Sequence, residues 1–128
     1  MDLNIKLLKS PDGENHLIII TGELIDAEGL TKIFRQVEDT IQFLLNCKVL
    51  VDLEDASLRI EPQEIHVLVH GLGCDLWHRN IRLALVSPPD IHTFQQLALL
   101  SESLCSQGLR AAVFDNPRQA ADWLINLT

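Results

Sequence analysis

The sequence predicts an α/β fold: a five-stranded mixed sheet with about four helices, in the order β-β-α-β-α-β-α-β-α. Three observations predict it. Short apolar runs rich in isoleucine, valine and leucine recur at residues 16–22, 48–53, 81–86 and 109–114. Between them the apolar residues take on a helical period. The first two strands are separated only by a turn, which makes an antiparallel hairpin; strands separated by helices must cross over and pair in parallel.

The elements follow in order. The stretch LNIKLLK alternates polar and apolar residues and predicts a half-exposed strand over about residues 2–8. Ser10, Pro11, Asp12 and Gly13 are turn chemistry. HLIIITG is a buried strand and completes the hairpin. Leu30, Ile33, Phe34, Val37, Ile41, Leu44 and Leu45 then form one helical stripe, with Lys32, Arg35, Glu38 and Asp39 opposite. Asp26 is a suitable N-cap, which predicts a helix over residues 27–46. KVLVDL is a continuous apolar run, suited to a strand covered on both faces. Pro62 is a favoured first-turn residue and opens a second helix carrying Ile65, Leu68, Val69, Leu72 and Leu76, weakened by Gly71 and Gly73. IRLALV is the next strand. The Ser87, Pro88, Pro89, Asp90 turn starts a third helix that runs to about residue 107 and stops at Gly108. LRAAVF is the last strand. Asn116, Pro117 and Gln119 open a final helix with Ala120, Ala121, Trp123, Leu124 and Leu127.

Composition excludes several functions. A chain of 128 residues, 47% hydrophobic and 22% charged, is one globular domain without repeats or low-complexity tracts. Eighteen acids against ten bases give a net charge of -8, which disfavours nucleic acid and anionic membrane surfaces as partners. No apolar run approaches the roughly 18 residues that span a bilayer. The start lacks the layout of a signal peptide, and the widely spaced Cys47, Cys74 and Cys105 are no disulfide framework. The expectation is a reduced, cytoplasmic protein that is not an integral membrane protein.

The residue pattern argues against catalysis. No G-x-S-x-G elbow and no phosphate-binding glycine loop occurs. Ser87, Asp90 and His92 are near in sequence, which is not triad geometry. No tyrosine is present and only 5% of residues are aromatic, so no cofactor is expected. A phosphoryl-accepting receiver domain would have a central aspartate such as Asp52, but also an acidic pair after the first strand and a lysine after the last. Thr21, Gly22, Phe114 and Asp115 stand there instead. His66, His70, Cys74 and His78 are spaced four apart, so adjacent pairs share a helix face and suit a metal; the drift of the helix keeps all four from one ion, and no metal is assigned. Ligands of such sheets sit beyond the carboxyl ends of parallel strands, where Asp52, Ser87 and Asp115 fall. Leu97, Leu99, Leu100 and Leu104 would line a cleft or a dimer face, and Leu99 lies off the apolar stripe of its helix. Ser87, Leu99 and Asp115 are therefore the candidate ligand-binding residues. The 52–64 segment carries Asp52, Glu54, Asp55, Glu61 and Glu64 against the single base Arg59. With Ser57 it reads as an acidic docking surface for a protein partner.

KVLVDLEDASLRIEPQEI resembles the strand, loop and helix start of STAS domains in bacterial anti-sigma-factor antagonists. IRLALVSPP, FQQLALLSESLCSQGLRAAVF and NPRQAADWL resemble the SpoIIAA-like branch, small proteins related to STAS and CRAL-TRIO lipid-binding domains. The resemblance covers nearly the whole chain. It implies a fold that works by binding. It also implies a phosphorylated serine in a D-S-x-G motif at the start of the second helix, but this sequence reads RIEPQE there, with Glu61 and Pro62 near the acceptor position. The CRAL-TRIO connection implies a carrier or sensor of a small apolar, lipid-like ligand. The expected function is a non-enzymatic regulatory or binding module, with that carrier role, a helix-borne metal site and a homodimer as further expectations.

Overall fold

The computed structural model describes residues 3–72 and 80–126. β1 (Asn4–Lys9) and β2 (Asn15–Ile20) form the expected antiparallel hairpin, with Leu7 opposite Leu17. Gly13 sits at φ +87°, a left-handed conformation that favours glycine. The Asp12 carboxylate accepts from the Ser10 hydroxyl and from the Glu14 N–H, which fixes the turn.

The chain continues through β3 (Leu24–Asp26), α1 (Ala27–Ile41), β4 (Asn46–Asp52), β5 (Ser57–Arg59), α2 (Pro62–His70), β6 (Asn80–Val86), α3 (Ile91–Ser106), β7 (Arg110–Phe114) and α4 (Pro117–Asn126). The main sheet has the order β1-β2-β4-β6-β7, and every pair after the hairpin is parallel. Each new strand adds beside the previous one. Right-handed crossovers advancing in one direction place their helices on one face. The rows Leu17, Val49, Leu83, Ala111 and Ile19, Val51, Leu85, Val113 point that way, and all but Val113 are buried. They meet Leu30, Ile33, Phe34 and Val37 of α1, Ile65, Leu68 and Val69 of α2, and Leu97, Leu100 and Leu104 of α3 in one core. Fully burying such a side chain contributes about 1.5–3 kcal/mol, so this layer dominates stability. The opposite face has a smaller cluster, Ala84, Val86, Ala120 and Leu124, under α4.

Two helices end earlier than their apolar stripes, and two strands are additional. α1 ends at Ile41 rather than residue 46. The stripe runs on in the sequence, but Phe43 and Leu45 are 85% and 81% exposed, because the chain must turn back to start β4 at Asn46. α2 stops at His70, where Gly71 closes the last turn. β3 and β5 were not expected; they pair in parallel as a separate two-stranded ribbon. Gly73 and Leu76, assigned to the second helix, and Leu127, assigned to the last, lie outside the described residues.

Cys47 is fully buried in β4, while Cys105 is exposed. Burial pushes the Cys47 thiol from 9.0 up to about 11. Between those values the unfolded chain ionises this group and the folded chain does not, so stability falls as pH rises from 9 toward 11. The full effect amounts to about 2–3 kcal/mol. Urea unfolding of the Cys47→Ala variant should lack that part of the alkaline loss; an identical pH profile would show that the thiol is not held neutral.

Candidate functional site

The β3–β5 ribbon organises the carboxyl end of the sheet. Each strand has three residues, with only the central one inward: Ile25 and Leu58 are buried, and Leu24, Asp26, Ser57 and Arg59 are exposed. The register sets Leu24 opposite Ser57 and Asp26 opposite Arg59. Because β3 runs into α1 and β5 leads into α2, a parallel ribbon sets the two helix starts side by side. Asp26 caps α1, its carboxylate accepting from the Gly29 N–H at 2.8 Å. The Glu64 carboxylate accepts from the Glu61 N–H at 2.8 Å, and Pro62 occupies the first turn of α2. Gln96 of α3 donates to the Ile60 carbonyl at 2.7 Å and ties the start of α2 to the core.

Between α1 and α2 lies a groove of about 410 Å³. Ala27, Val67, Leu68 and Leu72 provide apolar lining; Glu28, Glu38, Glu64 and Arg35 provide charge. Val67 is 72% exposed. It lies on α2 away from the core residues Ile65, Leu68 and Val69. Glu28, at the edge of the groove, pairs with the exposed Lys32 one turn on at 3.6 Å. Three carboxylates against Arg35 give the groove a negative balance.

The expected partner-binding residues divide by role. Asp52 is half-buried and its carboxylate accepts from the Glu54 N–H at 2.9 Å, which shapes the loop after β4. Glu64 both caps α2 and lines the groove. Asp55 and Glu61 are exposed and Glu54 is half-buried, while Ser57 and Arg59 project from the outer face of the ribbon. Sequence reasoning did not mark Glu28, Thr31, Arg35 or Val67. The available signal was Val67, an apolar residue off the core stripe of its helix.

The expected ligand-binding residues do not form one group. Ser87 is fully buried, and its hydroxyl donates to the Pro88 carbonyl at 2.9 Å. Its N–H donates to the Phe114 carbonyl, which brings the ends of β6 and β7 together. Asp115 lines a shallow cleft of about 280 Å³ with Pro88, Pro89, Asp90, Ile91 and Phe94. The Thr93 hydroxyl donates to Asp90 at 2.7 Å and holds that carboxyl below the usual carboxylate range. Leu99 is 40% exposed and lines neither depression. Deep crevices form at strand ends where the strand order reverses, and here it advances in one direction; the cleft beside Asp115 is accordingly shallow.

Of the spaced metal-ligand candidates, His66 and His70 come together, with Nε2 atoms 3.1 Å apart. Cys74 and His78 lie outside the described residues. Among the described residues, no group of three His, Cys, Asp or Glu side chains is placed to hold a metal ion. No helix among them is long and apolar enough to cross a membrane.

No protein-family model matches the chain, and no curated protein matches it. A solved structure does: an uncharacterized protein of the DUF3478 family with a SpoIIAA-like fold, from Shewanella loihica PV-4. The two align over 95% of this chain and 93% of that one, with a TM-score of 0.56 and 14% identity. At that identity the likeness is one of architecture. It agrees with the one-directional sheet and the three crossover helices on a single face: the chain has a SpoIIAA-like fold.

Proposed function

We propose that this chain is a non-enzymatic binding module whose docking face is the α1–α2 groove together with the outer face of the β3–β5 ribbon. The carrying observation is the groove itself, where exposed Val67 sits among Glu28, Glu38 and Glu64. An apolar recess with a negative rim suits a protein segment whose apolar side chains are flanked by lysine or arginine. The hydroxyl in the groove lining, Thr31, donates to the Ala27 carbonyl at 2.8 Å and so is engaged with its own helix. Glu54, Asp55 and Glu61 extend the same negative sign along the neighbouring loop and steer a basic partner toward it.

The test is capture from a cell extract with the wild-type chain and a Glu54→Lys, Asp55→Lys, Glu61→Lys variant. The variant should retain less than a tenth of the partner, and wild-type binding should weaken as salt rises. Partners held equally by both chains would remove the acidic surface from the proposal.

A second reading rests on the same cavity. A volume of about 410 Å³ is within the range of about 300–1,000 Å³ typical of small-molecule sites. A small apolar ligand would then fill the recess. Native mass spectrometry of freshly purified protein would show the added mass; a bare chain with no thermal shift from lipids would leave the protein-partner reading alone.

A further inference from the structure

We propose that His66 and His70 form a two-imidazole binding site for a late first-row divalent cation of the nickel, copper and zinc class. Both residues are exposed, and neither lines the α1–α2 groove. Four residues apart on α2, they stack along one flank of the helix. The rings lie with centroids 4.3 Å apart and planes at 75°, so they meet edge to face with their Nε2 atoms turned toward each other.

The distance supports chelation. Bonds of about 2.0–2.1 Å from a metal to two imidazole nitrogens, at angles between octahedral and tetrahedral, put those nitrogens about 2.8–3.4 Å apart. The observed 3.1 Å falls inside that window without any movement of the helix. The backbone beneath is held at both ends, by the Glu64 carboxylate on the Glu61 N–H and by the Gly71 N–H on the Val67 and Leu68 carbonyls. Without a metal, one ring donates its Nε2 proton to the lone pair of the other. A bound cation takes both Nε2 lone pairs, and the donor ring carries its proton on Nδ1 instead. The proton leaves one nitrogen of that ring and water returns one to its other nitrogen, so the exchange needs no further reactant.

Imidazole nitrogen selects this class of cation over magnesium and calcium, which prefer oxygen. With two protein ligands and an exposed position, the remaining coordination sites fall to water. That makes the site open and exchangeable, unlike a closed structural zinc site.

The test uses Ni²⁺ and the full chain. Paramagnetic Ni²⁺ should broaden the imidazole resonances of His66 and His70 before those of any other histidine, with saturation at one equivalent by calorimetry. His66→Gln and His70→Gln should each weaken Ni²⁺ binding at least tenfold, and Ile125→Ala, on the helix that covers the opposite face of the sheet, should leave it unchanged. Both histidines are exposed, so circular dichroism should show the variants folded like wild type. First broadening at His16, His78 or His92, or an unchanged affinity in the double His66→Gln, His70→Gln variant, would overturn the proposal.

Discussion

Phe34→Ala should destabilise the protein by about 3–5 kcal/mol, whereas Phe43→Ala, nine residues later, should change it by no more than about 0.5 kcal/mol. Phe34 is 1% exposed and packs from α1 into the main core. Truncating it removes its transfer energy and leaves a cavity that the surrounding sheet cannot fill. Phe43 stands 85% exposed in the turn after α1. Urea unfolding measures both; with a slope of about 1–3 kcal/mol/M, the Phe34→Ala midpoint should fall by roughly 1 M or more. Similar costs for the two would mean that α1 is not seated on the sheet through this stripe. A loss of that size is a large share of the roughly 5–15 kcal/mol that holds a domain of this kind together.

Val67→Asp should weaken occupancy of the groove by about 30-fold or more while leaving folding stability nearly unchanged. The separation follows from position. Val67 is 72% exposed, so the folded chain alone loses little when it becomes polar. A docked partner would cover it, and a carboxylate buried without a partner there is costly. The substitution also adds a fourth negative charge to the groove, beside Glu28, Glu38 and Glu64. The measurement is titration of the captured partner or apolar ligand against wild type and variant, with urea unfolding of both. Unchanged affinity would place the binding surface elsewhere; lost stability would make Val67 a core residue.

The main sheet was legible because each of its strands announces itself. HLIIITG, KVLVDL and IRLALV are continuous apolar runs, and their residues alternate between the helix-covered face and the partly covered one. The helices were legible for the same reason at another period, with Asp26 and Pro62 marking their starts. The ribbon was not. Three residues are too few to establish an alternation, and Leu24-Ile25-Asp26 and Ser57-Leu58-Arg59 each carry one buried position. The end of α1 was hidden too, since Leu44 and Leu45 continue its stripe with no glycine or proline to break it. The site suffered most from the missing ribbon. The acidic loop could be read from composition, but the groove exists only because β3 and β5 pair and bring α1 beside α2. Arg35 and Glu64 are 29 positions apart in the chain, and no local pattern joins them.

The spatial sequence of the strands bears on how the chain is made. Every strand of the main sheet joins an edge that earlier residues have already laid down, apart from the opening hairpin, which is local. Such a chain can assemble in the direction of synthesis, one strand and one helix at a time, without waiting for a distant segment to insert between existing strands. The two faces mature at different moments. The helix-covered side closes progressively as α1, α2 and α3 arrive. The other side, with Leu50, Ala84, Val86 and Phe114, stays bare until α4 docks. A nascent chain stalled before α4 would present that strip to the cell, so this last short helix completes the only protection that face receives among the described residues.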